Sequence, residues 1–294
     1  MDIIEQFSSA LADRLAAAAP AVVALKAGSR PRSGILWRPG VVVTSEQVIG
    51  DQDTAVVVQG GTEVTAKLAG RDPTTNIAVF RLDAPLAGAL PAQGAAPRPG
   101  SLAMVVGASP GGSPTGRLAM VHATGPAWHS MAGGRIDTLI RLDVRLGADE
   151  GGPVLDATGA LLGMSTSGPR RRALVIPAAT IARVVDPLLE HGHVARGWLG
   201  VGLQPVAIPD SLHASTGQSR GAMVLQLVTQ APAEQAGLLP GDILLTIDNF
   251  RFGQRRGLAS LMGPDRIGKS VAVRLLRAGE IKEIGVVIAA RPRS

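Results

Sequence analysis

The sequence predicts a mainly β protein with two units, a larger barrel or sandwich and a smaller C-terminal unit. Short apolar runs separated by Gly, Pro or Asp turns recur along the chain at regular intervals. Aromatic residues make up 2% of the 294 residues, whereas Gly (37) and Pro (21) are abundant, which favours strands joined by turns over long helices. Hydrophobic residues at 46% and charged residues at 18% are typical of a globular chain.

The N-terminal segment, residues 1–20, is predicted to form an amphipathic helix. Apolar residues recur there at helical spacing, at Ile3, Ile4, Phe7, Leu11 and Leu15. Acidic Asp2 and Glu5 stand where a signal peptide carries basic residues, and no run approaches the roughly 20 apolar residues of a membrane span. We expect no membrane span and a cytoplasmic location for the chain as written, with the periplasm as the alternative if a leader is missing.

The larger unit is predicted to begin with a strand at Val22 and to continue as a series of short strands. These strands are expected in residues 33–45, 54–59, 62–72, 77–83, 101–108, 117–124, 138–144, 152–167 and 173–178. The Ala/Pro-rich residues 84–100 are interpreted as a surface connection between two halves. A helix is predicted in residues 178–194, because its apolar residues recur on one face.

After Arg196 a new series of strand, helix and turn signals begins, which indicates a second unit. We expect a short helix in residues 231–237, a turn at 238–242, a strand from Ile243, and a final strand pair around residues 277–280.

Three stretches carry a resemblance to a known family. They are "GRDPTTNIAVFRLD" from Gly70, "VIPAATIARVVDPLLEHGHVARGWLGV" from Val175, and "APAEQAGLLPGDILLTIDN" from Ala231. Together with Gly151-Gly152-Pro153, they resemble the HtrA family in that family's order. The resemblance implies a trypsin-like double β-barrel in residues 21–190, after the N-terminal segment, and a PDZ domain in residues 191–294.

The positions that match the family's catalytic triad carry other residues. Gln47 stands where the family has its histidine, Asn76 where it has its aspartate, and Glu150 where it has its serine. Ala148 and Asp149 fill the positions of the oxyanion loop, and the spacing from Asp143 to this loop is one residue short. A glutamine cannot carry a proton at neutral pH, so the usual proton transfer to and from an imidazole is lost.

From these replacements we predict a protein that is not an enzyme. The prediction is a catalytically inactive HtrA-like pseudoprotease that binds polypeptides as a scaffold, chaperone-like factor or regulator of an active relative. One alternative is a serine endopeptidase of the HtrA type whose triad is displaced. Another is a basic nucleic-acid or anionic-surface binder, since the net charge is +6. The arginines are scattered, apart from residues 170–172, so no nucleic acid is expected.

Glu150 admits two interpretations. With Glu46 and Asp149 nearby it would form an acidic pocket for a cationic group. The favoured alternative is that Glu150 reaches solvent or pairs with an arginine such as Arg145.

Other routes to catalysis find little support in the sequence. Residues 107–111, "GASPG", match a nucleophile elbow by letter, but a turn follows instead of the required helix. His191 and His193 lack the further ligands that a metal site needs, and the five histidines are interpreted as surface or capping residues. The chain has no cysteine, which excludes disulfides and thiolate sites. No metal and no cofactor are predicted.

The C-terminal unit is predicted to bind peptides. Its loop and adjacent strand are expected in Gly197, Trp198, Leu199, Gly200 and Val201. Backbone N–H groups of Trp198–Gly200 would hold a terminal carboxylate, and a strand from Leu199 would pair with the peptide. A facing helix in residues 254–263 would direct Leu258 and Leu261 towards the groove, or these two leucines would only pack the core.

The predicted partners are therefore polypeptides or protein C-termini. A homotrimer is also implied by the resemblance, with the apolar face of the N-terminal segment as its candidate contact.

Overall fold

The chain folds into two compact units, Met1–Val194 and Ala195–Ser294. The computed structural model describes residues 2–28, 30–169, 172–252 and 258–292. Both units are mainly β, which confirms the predicted fold class.

The first unit opens with helix α1, Ile3–Ala18. The Asp2 backbone N–H donates to the Glu5 carboxylate at 3.1 Å at the start of this helix. Leu11 and Leu15 pack against the core, while Ile3 is 75% exposed. Only the C-terminal part of the apolar stripe is therefore covered by the chain itself.

Two closed barrels follow, each with six antiparallel strands. The first barrel has the order β1-β2-β3-β6-β5-β4. Its strands are β1 (Val22–Lys26), β2 (Arg32–Arg38), β3 (Val41–Ser45), β4 (Thr54–Gln59), β5 (Thr62–Asp72) and β6 (Ile77–Leu82).

The second barrel has the order β11-β14-β13-β12-β7-β8. Its strands are β7 (Leu102–Ala108), β8 (Pro114–Gly125), β11 (Leu139–Arg145), β12 (Pro153–Asp156), β13 (Leu161–Ser167) and β14 (Arg172–Pro177). A small pair, β9 (Trp128–His129) and β10 (Arg135–Ile136), is inserted between β8 and β11.

Helix α2, Ala178–His191, closes the first unit. Its buried face joins the core cluster that also contains residues of both barrels; the members from α2 are Ala178, Ile181, Val184, Val185 and Leu188. Within the first barrel, Phe80 is completely buried. Burial of one such side chain contributes about 1.5–3 kcal/mol, so these clusters hold the elements that carry the site.

The second unit is a sheet with the order β16-β17-β18-β20-β21, and β19 pairs with β18. The strands are β16 (Val201–Ala207), β17 (Arg220–Leu227), β18 (Ile243–Ile247), β19 (Phe250–Arg251), β20 (Ser270–Arg277) and β21 (Glu280–Val287). A separate pair joins β15 (Gly197–Trp198) to β22 (Ala289–Ala290). Short helices α3 (His213–Thr216) and α4 (Pro232–Gln235) complete this unit.

Candidate functional site

A cleft cluster of polar side chains forms where loops of the two barrels meet. Its members are Gln47, Asn76, Glu150, Thr166 and Ser167, and the name cleft cluster refers to these five residues below. They come from the 3-10 turn after β3, the turn residue before β6, the turn before β12, and the end of β13. The structure thus brings together the three positions that the sequence assigned to the former triad.

The turn that carries Glu150 depends on the glycine that follows it. Gly151 has a φ of +93°, and a Cβ there would lie 2.3 Å from both the Ser33 carbonyl oxygen and Thr44 Oγ1. Only glycine fits this close approach between the barrels. Gly151 N–H also donates to the Ser165 carbonyl at 2.9 Å, which ties the turn to β13.

Glu150 is buried, with 7% of its surface exposed, and its carboxylate is held by neutral donors. Gln47 Nε2 and the Ser167 backbone N–H, the latter at 2.8 Å, donate to Oε1. The Ser167 hydroxyl donates to Oε2 at 2.7 Å. These bonds satisfy a carboxylate that burial would otherwise penalise.

Asn76 ties the other members of the cleft cluster together. It adopts a φ of +58°, a left-handed conformation that asparagine tolerates better than most residues. Its Oδ1 accepts the backbone N–H of Gln47 at 2.8 Å, and its Nδ2 donates to Thr166 Oγ1 at 2.5 Å. Gln47 Nε2 also donates to Thr166 Oγ1 at 3.1 Å. Asn76 therefore positions Gln47 by accepting the hydrogen bond from the Gln47 backbone N–H.

Both sequence-based interpretations of Glu150 are wrong. The residue neither reaches solvent nor pairs with Arg145, because the turn buries it against the end of β13. An acidic pocket does not form either. Glu46 lies 3.8 Å from Arg71, and Asp149 pairs with Arg117 at 3.2 Å, so both neighbouring carboxylates are directed to arginines.

Thr166 and Ser167 were not assigned to the site from the sequence. The motifs compared with the family cover the triad and the oxyanion loop. The available signal was the hydroxyl-rich end of "GMSTSG".

The loop before Glu150 is closed on itself. The Glu150 N–H donates to the Gly147 carbonyl at 3.3 Å, and Asp149 Oδ1 accepts the Gly147 N–H at 2.7 Å. The Ala148 carbonyl accepts the Ser33 hydroxyl at 2.8 Å. Arg117 and the Gly147 N–H together account for the buried carboxylate of Asp149.

Residues 107–111 cover the end of β7 and the start of a turn, and no helix follows them. β7 ends at Ala108, and Ser109 and Ser113 close a turn through a 2.8 Å backbone hydrogen bond before β8 begins. His191 ends helix α2, and the His193 ring bonds to the His191 carbonyl at 2.9 Å.

Residues 197–201, which were predicted to bind peptides, are arranged differently from the prediction. β16 begins at Val201 and not at Leu199, because Leu199 is 3% exposed and packs in the core. Gly200 makes the turn with a φ of +76°, and a Cβ there would lie 2.1 Å from the Ala231 Cβ. Trp198 lies in β15, paired with Ala289.

The facing helix of the predicted groove is only partly described. Residues 253–257, which include Gly257, lie outside the described residues. Residues Leu258–Leu261 form a short 3-10 helix, and the side chains of Leu258 and Leu261 pack against the core of the unit. This packing agrees with the interpretation in which both leucines pack the core.

Each of the two units is similar to a known domain family. A trypsin-like peptidase domain matches residues 32–164, and a PDZ domain matches residues 197–288. A probable periplasmic serine endoprotease DegP-like protein from Brucella suis is 31% identical over 269 residues, covering 88% of this chain and 52% of the relative. Its counterpart in Rhizobium meliloti is 30% identical over 279 residues, covering 90% of this chain and 54% of the relative.

The chain belongs to the HtrA family. Solved structures agree over nearly its whole length. HtrA-type protease AlgW with a decapeptide has a TM-score of 0.72 at 26% identity, covering 96% of this chain and 99% of that one. The serine endoprotease from Yersinia pestis has a TM-score of 0.68 at 25% identity, covering 96% and 98%. The chain spans about half the length of the curated relatives above.

The comparisons contradict the prediction of a pseudoprotease that is not an enzyme. The similar proteins are named as serine endoproteases or HtrA-type proteases. The prediction rested on the residue types at the triad and oxyanion-loop positions. The alternative, a serine endopeptidase with displaced catalytic groups, agrees better with these relatives.

The expected cytoplasmic location also finds no support. The curated relatives are named as periplasmic proteins, which fits the alternative location. Among the described residues, no helix has the length and apolar character needed to cross a membrane.

Proposed function

We propose that the chain is a polypeptide-binding serine endopeptidase of the HtrA type whose catalytic groups are displaced within the cleft cluster. Membership of the family and the names of its relatives support this function. The observation that carries it is the 2.7 Å hydrogen bond from the Ser167 hydroxyl to the Glu150 carboxylate. A hydroxyl bonded to a base is the arrangement from which a serine nucleophile is activated.

In this proposal Glu150 is the general base and Ser167 the nucleophile. The Ser167 hydroxyl proton passes to the Glu150 carboxylate as Oγ bonds to the scissile carbonyl carbon. Glu150 then returns the proton to the departing amine, and water hydrolyses the resulting ester in a second step with the same base. A carboxylate within hydrogen-bond reach of the hydroxyl meets the geometric requirement for this role.

Gln47 and Asn76 act as positioning residues. The Gln47 side-chain amide donates to the Glu150 carboxylate and to the Ser167 carbonyl, the latter at 3.2 Å. Asn76 holds the backbone of Gln47. The pair thereby keeps the carboxylate directed at the hydroxyl, as the third group of a triad does for its base.

Covalent labelling with a fluorophosphonate tests the nucleophile. The full chain is expected to be labelled at Ser167, and Ser167→Ala should remove both the label and hydrolysis of an unfolded protein substrate. Ser113→Ala is the matched control, because Ser113 is an exposed serine in the strand connection of the same unit. A chain that is neither labelled nor able to cut the substrate would refute the hydrolytic proposal.

We also propose that the PDZ unit captures the free C-terminus of a polypeptide. The carbonyls of Leu199 and Gly200 accept N–H groups of Ala233 at 3.0 Å and Val228 at 2.8 Å. Since C=O and N–H point in opposite directions across a trans peptide, the N–H groups of Gly200 and Val201 are directed away from these contacts. These two donors replace the Trp198 and Leu199 donors of the sequence-based prediction.

The strand beside this loop supports the same function. β16 is the terminal strand of its sheet, so among the described residues only β17 pairs with it. An extended peptide can add to such an edge by main-chain hydrogen bonds. The solved structures of AlgW with a decapeptide and with a tripeptide are similar to this chain.

Calorimetric titration of the full chain with matched peptides tests the capture of a C-terminus. A peptide with a free apolar C-terminus should bind with a Kd of roughly micromolar order, which corresponds to a binding free energy of about −8 kcal/mol. Its amidated counterpart should bind far more weakly, because it lacks the charge that the loop holds. Equal affinities would show that the loop is not a carboxylate site.

In this proposal the location follows the names of the relatives, and the assembly follows the family resemblance. We place the chain in the periplasm, as the names of the curated relatives indicate. A homotrimer is proposed through the exposed apolar side chains Ile3, Ile4 and Phe7 of α1. Light scattering that gives the mass of a monomer at micromolar concentration would contradict the trimer.

A further inference from the structure

The end of β13 has a backbone edge that β14 does not cover. Ser167 is the direct partner of Ala173 in the antiparallel register of these two strands. The next residue, Gly168, donates its N–H to the Arg172 carbonyl at 2.8 Å. Opposed pairs in such a ladder alternate between hydrogen-bonded and non-hydrogen-bonded pairs. The N–H and C=O of Ser167 therefore point away from β14.

The ladder on this other edge of β13 stops two residues before Ser167. The Gly151 N–H donates to the Ser165 carbonyl at 2.9 Å, and the Ser165 N–H donates to the Gly152 carbonyl at 2.8 Å. Glu150, the residue before Gly151, turns its own N–H to a carbonyl within its turn. Among the described residues, no backbone group therefore takes the ladder position opposite Ser167 on this edge.

Two side chains of the cleft cluster fill that ladder position. The Ser167 N–H donates to Glu150 Oε1 at 2.8 Å. The Ser167 carbonyl accepts Gln47 Nε2 at 3.2 Å. One side chain thus supplies an acceptor and the other a donor, which are the two groups that a residue of an added strand would present.

The Gln47 half of this contact is the easier one to displace. The Gln47 side-chain amide has two hydrogens but three acceptors within reach, namely Glu150 Oε1, Thr166 Oγ1 at 3.1 Å and the Ser167 carbonyl at 3.2 Å. Gln47 is exposed, so water can replace the bonds that it gives up. The Ser167 hydroxyl bonds to the other carboxylate oxygen, Oε2, and this bond remains when Oε1 loses its partners.

We infer that Gln47 and Glu150 form an autoinhibitory contact, which an extended polypeptide displaces to pair with the end of β13. This inference rests on the proposed polypeptide-binding function and adds its regulation. The bound segment donates an N–H to the Ser167 carbonyl in place of Gln47 and accepts the Ser167 N–H in place of Glu150 Oε1. Every extended segment carries these two main-chain groups, so the partner is recognised by its backbone and not by one kind of side chain.

Fluorescence anisotropy with two labelled peptides tests the contact. Both peptides are amidated, so that the PDZ loop does not contribute, and one is N-methylated at its four central residues, which removes the donors that a ladder needs. The full chain with Ser167→Ala is used, because it cuts no peptide and keeps the backbone groups of residue 167. In this background, Gln47→Ala should bind the plain peptide about two- to tenfold more tightly, the factor that one net hydrogen bond contributes. Its affinity for the methylated peptide should not change.

A second variant separates the loss of the amide from the loss of bulk. Gln47→Met keeps the length of the side chain but has no N–H donor, and it should give the same selective gain. Gln52→Ala is the matched control, because Gln52 is an exposed glutamine in the loop that follows the same 3-10 turn, and it should give no gain. An equal gain for both peptides, a gain in the control, or no gain in either Gln47 variant overturns the inference. So does a gain in Gln47→Ala that is absent from Gln47→Met.

The binding measurement separates this inference from the proposed hydrolysis. Failure of the fluorophosphonate to label Ser167 overturns the hydrolytic proposal, while a gain confined to the plain peptide still supports the autoinhibitory contact. Equal responses of the two peptides overturn the contact and leave the labelling of Ser167 as an independent result.

Discussion

Two buried carboxylates, one in each unit, are held in opposite ways. Asp242 in the PDZ unit is 2% exposed, and Arg277 bonds to both of its oxygens at 2.7 Å. Glu150 in the cleft is 7% exposed, and its partners among the described residues are an amide, a backbone N–H and two hydroxyls. The first carboxylate has a permanent counterion, and the second has only neutral donors.

The difference separates a structural role from the chemical role that we propose for Glu150. The hydrogen bonds from Arg277 to the Asp242 carboxylate raise the pKa of Arg277 above its ordinary value. Such a pair fixes the strand ends that it joins. Glu150 instead faces a hydroxyl, so its carboxylate is placed where a proton can be transferred.

The largest effect is expected from Glu150→Gln. Glutamine keeps the shape and most hydrogen bonds of the site but cannot accept the Ser167 proton. Turnover of an unfolded protein substrate should fall by a factor of about 10²–10⁴, with little change in melting temperature. Glu46→Gln is the control, since Glu46 lies in the neighbouring turn and contacts Arg71 instead. Unchanged turnover in Glu150→Gln would show that Glu150 is not the general base.

Arg277→Ala should have the largest effect on stability. It leaves the buried Asp242 carboxylate without its counterion, which typically costs about 3–5 kcal/mol. Scanning calorimetry of the full chain should show a lower transition for the PDZ unit, while labelling of Ser167 is retained. Replacing both partners, as Asp242→Leu with Arg277→Met, should recover much of the loss because no unpaired charge remains.

A smaller loss of stability is expected from Arg117→Ala. Asp149 is nearly as buried as Glu150, but the side chain of Arg117 is 50% exposed and the ion pair is screened by water. The Gly147 N–H also continues to bond to Asp149. Chemical denaturation should show a loss of about 1 kcal/mol or less. A loss of stability as large as that of Arg277→Ala would mean that burial of the carboxylate alone decides how much stability is lost.

The smallest effect concerns an exposed ion pair, Arg38 with Asp186, at 2.7 Å between β2 and α2. The hydrogen bond from Arg38, aided by its charge, holds the pKa of Asp186 below its ordinary value of 3.8. The pair therefore stabilises the folded state above pH 3.8, and its contribution is lost as the pH falls through the lowered pKa.

Asp186→Asn should accordingly lower the melting temperature slightly at pH 7, by less than Arg117→Ala does. The difference from the unmodified chain should close at strongly acid pH, where the carboxyl is protonated in both states. A difference that persists unchanged into acid would show that the hydrogen bond, and not the charge, carries the effect.

Local patterns in the sequence predicted most of the secondary structure. The run "TAVVVQ" predicted β4 with the bounds that the structure has, and "TEVTAKLAGRD" did the same for β5. Helix α2 was predicted from the spacing of its apolar face. The strand that was predicted to begin at Leu199 begins at Val201, and the burial of the Leu199 side chain depends on residues distant in sequence.

In the cleft, likewise, the sequence identified residue types, and the structure supplied the contacts between them. Gln47, Asn76 and Glu150 were identified by the motifs around them, and the structure brings all three together. Thr166 and Ser167 were not assigned to the site, because no motif marks a hydroxyl at a strand end as a partner of a carboxylate.

By itself, the sequence determined the order of strands and turns, the two units, and the residue types at the former triad. Periodicity and turn chemistry are local properties, so they can be read from neighbouring residues. Only the tertiary structure decided that Glu150 is buried without a counterion and meets the Ser167 hydroxyl. That contact exists because Gly151 lets the turn before β12 approach the first barrel and because its N–H joins β13. Close packing between distant segments, not local pattern, set the direction of both side chains.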